Sequence, residues 1–91
     1  MLIKRKIKIK NPQGLHARPA STFVRTANKY ESDITVKKGS DKVNGKSIMG
    51  LLMLAASEGS QIELEISGPD AQEAMQELEG FLLSDKEEEH P

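Results

Sequence analysis

Hydrophobic and polar residues alternate in four short segments of the chain, a period-two pattern that is typical of strands with one buried face. In the first segment Ile3, Ile7 and Ile9 fall on odd positions and lysines fall on even ones. Gly39-Ser40-Asp41, between the second and third segments, has the composition of a turn and predicts a hairpin. The four predicted strands cover residues 3–10, 32–37, 42–44 and 61–67.

Apolar residues at helical spacing, i, i+3, i+4 and i+7, predict a helix before the second strand and another after the last strand. The first should begin at Ala17, after turn residues 11–14, and it tolerates Pro19 because a proline in the first turn breaks no intrahelical hydrogen bond. Gly68-Pro69-Asp70 is predicted to end the last strand and cap the final helix. The apolar positions are Ala20, Phe23, Val24, Ala27 and Tyr30 in the first helix, and Ala71, Ala74, Met75, Leu78, Phe81 and Leu82 in the last.

The middle helix is predicted over residues 48–55, with Ser47 as its N-cap. It is apolar on nearly every side, and since a helix buries only one stripe, some of these side chains must face outward. Flexible methionines suit an adaptable docking patch, although an overfilled core would give the same pattern. We assign Ile48, Leu51, Leu52 and Ala55 to the core, which leaves Met49 and Met53 exposed.

The order of elements is strand, helix, strand, strand, helix, strand, helix, which places the chain in the α+β class. A four-stranded sheet with all three helices on one face and water on the other fits the alternation of every strand. The outer face of the first strand is rich in lysine, and that of the last strand carries Glu63 and Glu65. Because opposite charges across a ladder contribute about 0.2–1 kcal/mol, we predict that these two strands are antiparallel neighbours.

Composition narrows the class of function. The chain has 91 residues, enough for one small domain, and its 13 basic residues against 14 acidic ones argue against a general nucleic-acid or membrane binder. It has no cysteine, which excludes disulfides, thiolate metal sites and cysteine nucleophiles. The longest apolar run, residues 51–56, is far shorter than the roughly 20 residues of a membrane span. With no signal-peptide pattern, we expect a cytoplasmic domain over residues 1–84 and an acidic flexible tail over residues 85–91.

The run Gly14-Leu15-His16-Ala17-Arg18-Pro19-Ala20, at the turn into the first helix, is the first candidate for chemistry. At an N-cap, His16 lies beside backbone N–H groups that lack an intrahelical acceptor, and these groups favour an anion. A phosphoryl group on the ring would meet them and the planar guanidinium of Arg18. A helix end contributes about 0.3–1 kcal/mol and a charge-assisted hydrogen bond about 1.5–3 kcal/mol. Such contacts hold a phosphoryl group without trapping it, which suits a carrier better than a hydrolase.

The spacing alone also fits an ordinary N-terminal histidine beside a solvated arginine. No Asp or Glu occurs before residue 31, so a Ser/His/Asp triad lacks its acid. A metal site would need two to four convergent ligands, and the sequence around His16 offers none.

The second candidate is the run Gly45-Lys46-Ser47 before the middle helix. A P-loop would need glycine at position 40, which is Ser40, and the chain is too short for a nucleotide-binding core. Ser47 as an N-cap explains the run structurally. Its functional interpretation is a phosphorylation site, because negative charge at a helix N-terminus is tolerated or stabilising.

The Gly-Leu-His-Ala-Arg-Pro-Ala run and the Lys-Ser-Ile-Met-Gly run together resemble the histidine-containing phosphocarrier (HPr) family of the bacterial phosphoenolpyruvate-dependent sugar phosphotransferase system. The resemblance covers essentially the whole chain and implies an open-faced β-sandwich with sheet order 1-4-2-3. It implies that His16 accepts a phosphoryl group on Nδ1 from phosphorylated enzyme I and passes it to IIA domains of sugar permeases. Arg18 would bind the phosphate.

The same resemblance implies regulation and docking. An ATP-dependent HPr kinase/phosphorylase would phosphorylate Ser47, which weakens sugar-route transfer and favours regulatory complexes, for example with a transcriptional regulator. Met49 and Met53 would belong to the surface that docks these partners. The implied protein is a carrier that acts with partner enzymes rather than an enzyme, without cofactor, metal, nucleic acid or membrane insertion. We expect a monomer, because the His16 face must be open to several partners in turn.

Three alternatives stay open. Nitrogen-branch paralogues share both motifs, so the chain could serve that branch instead. A pure interaction module would bind regulators under control of Ser47 and carry no phosphate. A weaker alternative is a nucleic-acid binder that uses the lysines of the first strand, for which binding would depend steeply on salt.

Overall fold

The structure, a computed structural model, describes residues 1–84, and the elements follow the predicted order. Most bounds differ from the predicted ones by one or two residues, but α1 ends at Ala27, so Tyr30, an apolar position predicted for the first helix, lies in the loop that follows. The predicted acidic tail, residues 85–91, lies outside the described residues. The strands are β1 (Leu2–Lys8), β2 (Asp33–Lys38), β3 (Asp41–Asn44) and β4 (Gln61–Ser67), and the helices are α1 (Ala17–Ala27), α2 (Ile48–Leu54) and α3 (Ala71–Leu83).

The four strands form one antiparallel sheet in the order β1-β4-β2-β3. Lys4 lies opposite Glu65 and Lys6 opposite Glu63, so the pairing of the first and last strands predicted from charge is confirmed. The three helices cover one face and leave the other open, which confirms the predicted open-faced α+β architecture. Only β2 and β3 are consecutive neighbours, joined by a hairpin, whereas the connections through α1 and α2 cross the sheet and place β4 between β1 and β2.

Charged side chains on the open face fix the register of the strands. Lys4 Nζ lies 3.9 Å from Glu65 Oε2, and Lys37 Nζ lies 3.8 Å from Glu63 Oε1. Lys37 also forms an ion pair with Glu65. The hydrogen bond from the Lys37 ammonium group in this pair holds the pKa of the Glu65 carboxyl below its ordinary value. Ion pairs exposed to water add little stability. Their main effect here is to favour one pairing of β1, β4 and β2.

The hydrophobic core lies between the covered face of the sheet and the helices. Phe23 of α1 is fully buried and meets Phe81 of α3 with ring centroids 6.3 Å apart, inside the favourable range for tilted aromatic pairs. Arg5, on the covered side of β1, reaches the rim of α3 and binds Glu79 at 2.5 Å. The strands and the two longer helices contribute Ile7, Ile34, Val36, Ile62, Leu64, Ile66, Ala20, Phe23, Val24, Ala27, Ala71, Ala74, Met75, Leu78 and Leu82.

The predicted core face of α2 is wrong in three of its four positions. Leu51 is buried as predicted, but Ile48 and Leu52 are 42% and 40% exposed. Ala55 is not helical: it adopts a left-handed backbone with φ 55° and ends the helix after Leu54. A helix of two turns makes a single narrow contact, so only Leu51 and Leu54, three residues apart, point inward. Met49 and Met53 are exposed as predicted, at 68% and 76%.

Asp70 takes the N-cap position of α3, but its side chain does not cap the helix. Its carboxylate instead accepts hydrogen bonds from the backbone N–H groups of Glu31 and Ser32 and from the Ser32 hydroxyl, at 2.9, 3.0 and 2.6 Å. These bonds hold the pKa of the Asp70 carboxyl below its ordinary value. The predicted cap position is therefore confirmed, while the loop before β2 competes successfully for the Asp70 carboxylate.

No helix among residues 1–84 is long and apolar enough to cross a membrane.

Candidate functional site

His16 is the N-cap residue of α1, as the sequence predicted. Its backbone is extended, with φ −87° and ψ −165°, and its carbonyl accepts the first helical hydrogen bond from Ala20 N–H at 2.8 Å. The imidazole makes no capping hydrogen bond and lies exposed to solvent. The backbone of His16 therefore fixes the residue at the helix end, while the ring nitrogens form no capping hydrogen bond.

The backbone before His16 is docked against the loop that follows α2. Leu15 is fully buried, and its N–H donates to the carbonyl of Ala56 at 2.7 Å. Gly14 has φ 61°, and a Cβ there would lie 2.7 Å from both the Ala56 oxygen and the Cα of Ser57. Only glycine fits this close approach in this conformation. The Gly-Leu-His sequence is thus explained residue by residue: glycine for the approach, leucine as an anchor, histidine at the exposed end.

The first turn of α1 is suited to bind an anion beside the ring. Its leading N–H groups, on Ala17 and Arg18, precede the first residue that can donate within the helix. The next residue, Pro19, has no N–H and packs into the core. Arg18 is exposed, two residues after His16. The structure therefore places an exposed histidine, leading backbone N–H groups and an exposed arginine in the same first turn.

Ser47 is the N-cap of α2, as predicted, and its hydroxyl accepts from Gly50 N–H at 3.0 Å. The preceding turn is fixed by Asn44, whose side-chain oxygen accepts from Lys46 N–H at 2.8 Å and whose carbonyl accepts from Ser47 N–H at 3.1 Å. Lys46 Nζ reaches back to the carbonyl of Tyr30 at 2.6 Å. Ser47 is half-buried, with its side chain at the start of an exposed apolar helix.

That helix presents an apolar surface, here called the α2 patch. It consists of Ile48, Met49, Leu52 and Met53, which are the large apolar residues of α2 that remain exposed. The sequence pattern identified the two methionines but placed Ile48 and Leu52 in the core. Ala56, in the loop after the helix, binds Leu15, so a buried backbone hydrogen bond joins the end of α2 to the His16 turn. Apolar side chains grouped in this way mark a contact surface for another molecule.

Two positions that shape the site were not predicted from the sequence. Ala56 was not singled out, because nothing in an Ala-Ala-Ser loop signals that its carbonyl binds the segment before His16. Asn11 was predicted only as part of a turn, yet it is buried with 2% exposure. The only available signal was a polar residue before Pro12 in a run that ends in glycine. Among residues 1–84 no group of three or more His, Asp or Glu side chains could hold a metal ion.

The structure is thus an open-faced α+β domain with an exposed histidine at a helix N-terminus. The family model described as "PTS HPr component phosphorylation site" matches residues 3–84. The chain belongs to this family, the HPr phosphocarriers of the phosphotransferase system. The family resemblance seen in the sequence is thereby confirmed.

Relatives and solved structures agree with this assignment. The phosphocarrier protein HPr of Neisseria meningitidis is 51% identical over 81 residues, covering 89% of this chain and 91% of the relative. The HPr-like protein Crh of Bacillus subtilis is 42% identical over 81 residues, covering 89% and 95%. The crystal structure of HPr from Bacillus anthracis superposes with a TM-score of 0.87 at 38% identity, covering 89% of this chain and 96% of that one.

Similar structures also include an assembled state. The crystal structure of Bacillus subtilis Crh, described as a dimer with a swapped domain, has a TM-score of 0.72 at 42% identity and covers 88% of this chain and 92% of that one. That arrangement belongs to the relative. The monomer expected for this chain stays a prediction.

Proposed function

We propose that this chain carries a phosphoryl group on His16, which it accepts from phosphorylated enzyme I and passes to IIA domains of sugar permeases. The observation that carries the proposal is the exposed His16 ring at the N-cap of α1, with no capping hydrogen bond. Membership of the HPr phosphocarrier family supports the same function. The chain is proposed to act as a substrate and donor for partner enzymes in the cytoplasm, without catalysing a reaction alone.

The transfer step needs a free nitrogen lone pair. The neutral ring, with its proton on Nε2, attacks the phosphorus through Nδ1 as the bond from phosphorus to the donor breaks. The phosphoryl oxygens then receive hydrogen bonds from the N–H groups of Ala17 and Arg18, and the Arg18 guanidinium binds them in a planar fork. Charge-assisted bonds of about 1.5–3 kcal/mol each stabilise the group enough to carry it and still allow its release. No cofactor or metal is required.

The α2 patch is the proposed docking surface for enzyme I, IIA domains and regulators. Met49 and Met53 are its most exposed members, and Ile48 and Leu52 extend it. Unbranched, flexible methionine side chains adapt to different partners, which suits a protein that must bind several in turn. Because the Ala56 loop after α2 binds the residue before His16, a partner on this patch is proposed to meet the His16 turn as well.

Ser47 is the proposed regulatory site, with an HPr kinase/phosphorylase as the modifying enzyme. A phosphate at this N-cap can still accept a hydrogen bond from Gly50 N–H and is favoured by the helix end. It also places about two negative charges directly before the α2 patch. Apolar docking would weaken, whereas a regulator with a basic surface, such as a transcriptional regulator, would bind better.

A regulatory interaction module is the second candidate, since relatives named HPr-like protein Crh match the chain at 42% and 46% identity. In that case binding through the α2 patch under control of Ser47 would be the whole function. His16 and Arg18 at the helix end favour the carrier. A nitrogen-branch carrier would use the same site with a different enzyme I.

Intact-mass spectrometry tests the carrier function. The protein is incubated with phosphoenolpyruvate and its cognate enzyme I, and its mass is read before and after mild acid. We expect one phosphoryl adduct that acid removes, absent from His16→Ala and retained by His90→Ala, the control at the other histidine of the chain. No adduct in the presence of active enzyme I would contradict the proposal. An acid-stable adduct formed only with ATP and a kinase, and lost in Ser47→Ala, would support the regulatory module.

The choice of enzyme I as phosphoryl donor distinguishes a sugar-branch carrier from a nitrogen-branch carrier. Initial rates of adduct formation are compared for sugar-branch and nitrogen-branch enzyme I at equal concentrations. A faster reaction with the sugar-branch enzyme supports the favoured assignment, and the reverse order assigns the chain to the nitrogen branch.

A further inference from the structure

Asn11 is a buried polar residue in the turn that leads to His16. Its 2% exposure is unusual for asparagine, which is mostly found at the surface, and an amide at such a position is held by hydrogen bonds. The side-chain oxygen accepts from Gln13 N–H at 3.0 Å, and the carbonyl accepts from Gly14 N–H at 3.0 Å. One residue therefore satisfies two successive donors of the turn.

The other donors of this segment bind the ends of two helices. The N–H groups of Lys10 and Asn11 both donate to the carbonyl of Leu82, at 2.9 and 3.3 Å, near the end of α3. Leu15 N–H donates to Ala56 after α2. Pro12 has no N–H, so every backbone donor from residue 10 to residue 15 has an acceptor. A fully bonded backbone of this kind leaves the turn little freedom.

We propose that Asn11 is a positioning residue for phosphoryl transfer, whose side-chain amide sets the turn that presents His16 to the phosphoryl donor. Asn11 does not touch the ring; it acts through the backbone of residues 13–15. The inference rests on the proposed carrier function. Without the side-chain acceptor, Gln13 N–H loses its partner, Gly14 is free to leave its left-handed conformation, and the backbone angle at His16 spreads over several states.

Asn44 provides an internal comparison. It forms the same kind of turn before α2, with Lys46 N–H bound to its side-chain oxygen at 2.8 Å and Ser47 N–H bound to its carbonyl. Asn44 is exposed, and its turn leads to Ser47 instead of His16. Asn44→Ala therefore removes the same kind of hydrogen bond as Asn11→Ala, but in the turn before α2 instead of the turn before α1.

The test compares Asn11→Ala with Asn11→Ser, which differ by one oxygen that can replace the lost acceptor, and uses Asn44→Ala as the control. Turnover and KM are measured with enzyme I as the enzyme and this protein as the substrate. We expect turnover to fall about tenfold or more in Asn11→Ala with KM within about twofold, because a small misplacement at a reacting centre is costly while the α2 patch is unchanged. Asn11→Ser should recover most of the rate. Asn44→Ala disturbs the turn before the α2 patch, so its effect should appear in KM, without the fall in turnover expected for Asn11→Ala.

A spectroscopic readout separates the positioning role from the carrier function. Backbone amide resonances of Leu15, Ala17 and Arg18 are recorded by NMR in the unphosphorylated variants. They should move or broaden in Asn11→Ala and return in Asn11→Ser. If they do so but the parent protein takes no phosphate, the carrier proposal fails and the role of Asn11 in shaping the turn stands.

Unchanged turnover and unchanged resonances in folded Asn11→Ala would overturn the inference. Equal losses in the Ala and Ser variants, in proportion to a lowered Tm, would also overturn it, since the residue would then be merely structural. If Asn11→Ala does not fold at the assay temperature, Asn11→Thr and Asn11→Val are compared instead. These two side chains have the same shape, and only threonine has an oxygen that can accept the Gln13 N–H bond.

Discussion

The Leu15 N–H group donates to the Ala56 carbonyl at 2.7 Å, which ties the residue before His16 to the loop after α2. This one bond links the proposed phosphoryl site to the proposed docking surface. Gly14 lies against the same loop, where a side chain would collide with the Ala56 oxygen. The contact gives a direct way to ask how much the site depends on α2.

Gly14→Ala tests this contact. A Cβ at Gly14 meets backbone atoms at 2.7 Å and the residue has φ 61°, so the substitution should lower the free energy of unfolding by about 2–4 kcal/mol. Gly39→Ala is the matched control, because Gly39 has φ 60° but no atom within 4 Å of the added Cβ, and should cost only about 1–2 kcal/mol. Urea denaturation of both variants gives the comparison. Equal losses would show that the approach to Ala56 is not tight.

Ala55→Gly should stabilise the protein. Ala55 ends α2 with φ 55° and ψ 42°, a conformation that costs a non-glycine residue about 1–2 kcal/mol. Part of this gain is offset by the greater freedom of glycine in the unfolded chain, which leaves about 0.5–1 kcal/mol and a Tm raised by several degrees. The control is Ala56→Gly, next in sequence but fully buried, which should lower the Tm. A lower Tm for Ala55→Gly would contradict the left-handed helix end.

Tyr30 gives an optical test of the contact between the loop after α1 and the helix α3. Its hydroxyl donates to Glu77, and this hydrogen bond, with some burial, raises the pKa of Tyr30 to about 12. The protein has one tyrosine, so phenolate absorbance reports this group alone. The parent protein should titrate near 12, and Glu77→Gln should bring the midpoint toward the ordinary value of about 10. Glu73→Gln should move it only slightly.

The sign of the pH effect follows from the same shift. A pKa raised in the folded state means that neutral Tyr30 adds stability below about pH 10, and this contribution disappears as the pH rises toward 12. Circular dichroism at each pH reports whether the chain is folded during the titration. A midpoint near 10 in the folded parent protein would show that the bond to Glu77 is absent.

Asp70 provides a corresponding test of stability at acid pH. Hydrogen bonds from Ser32 and from the Glu31 N–H lower its pKa in the folded state. The stability it provides is therefore complete above about pH 4, the ordinary aspartate value, and is lost as the pH falls through the lower folded value. Asp70→Asn should reduce the Tm at neutral pH and flatten its fall in acid. Asp41→Asn, at the exposed start of β3, serves as the control, and an unchanged acid profile in Asp70→Asn would refute the assignment.

Much of the fold could be predicted because the strands alternate in both hydrophobicity and charge. Lysines on β1 and glutamates on β4 were sufficient to predict the β1–β4 pairing, since opposite charges favour neighbouring positions. The N-cap positions of His16 and Ser47 followed from turn residues and residue type. The cap positions depend on local sequence, and the strand pairing follows from a charge pattern that each strand shows by itself.

The sequence-based predictions failed where the structure depends on contacts between segments that are far apart in the chain. The core side of α2 depends on how a seven-residue helix lies against its neighbours, and its apolar sequence does not distinguish Leu54 from Leu52. Asp70 takes the predicted cap position, but the sequence did not indicate that its carboxylate accepts from the loop at Glu31 and Ser32. Ala56 acts through a bond to Leu15, and the Asn11 N–H group meets Leu82 near the end of α3; the sequence has no periodic signal for such distant contacts.

The most direct test of the carrier function is onward transfer. The protein is phosphorylated with phosphoenolpyruvate and enzyme I, separated from both, and mixed with a purified IIA domain, and the masses of both proteins are followed over time. We expect the phosphoryl group to leave this chain and appear on the IIA domain in equal amount, with no transfer from His16→Ala. A phosphoryl group that stays on the chain, or is released only as inorganic phosphate while an authentic HPr donates to the same domain, would contradict the carrier function.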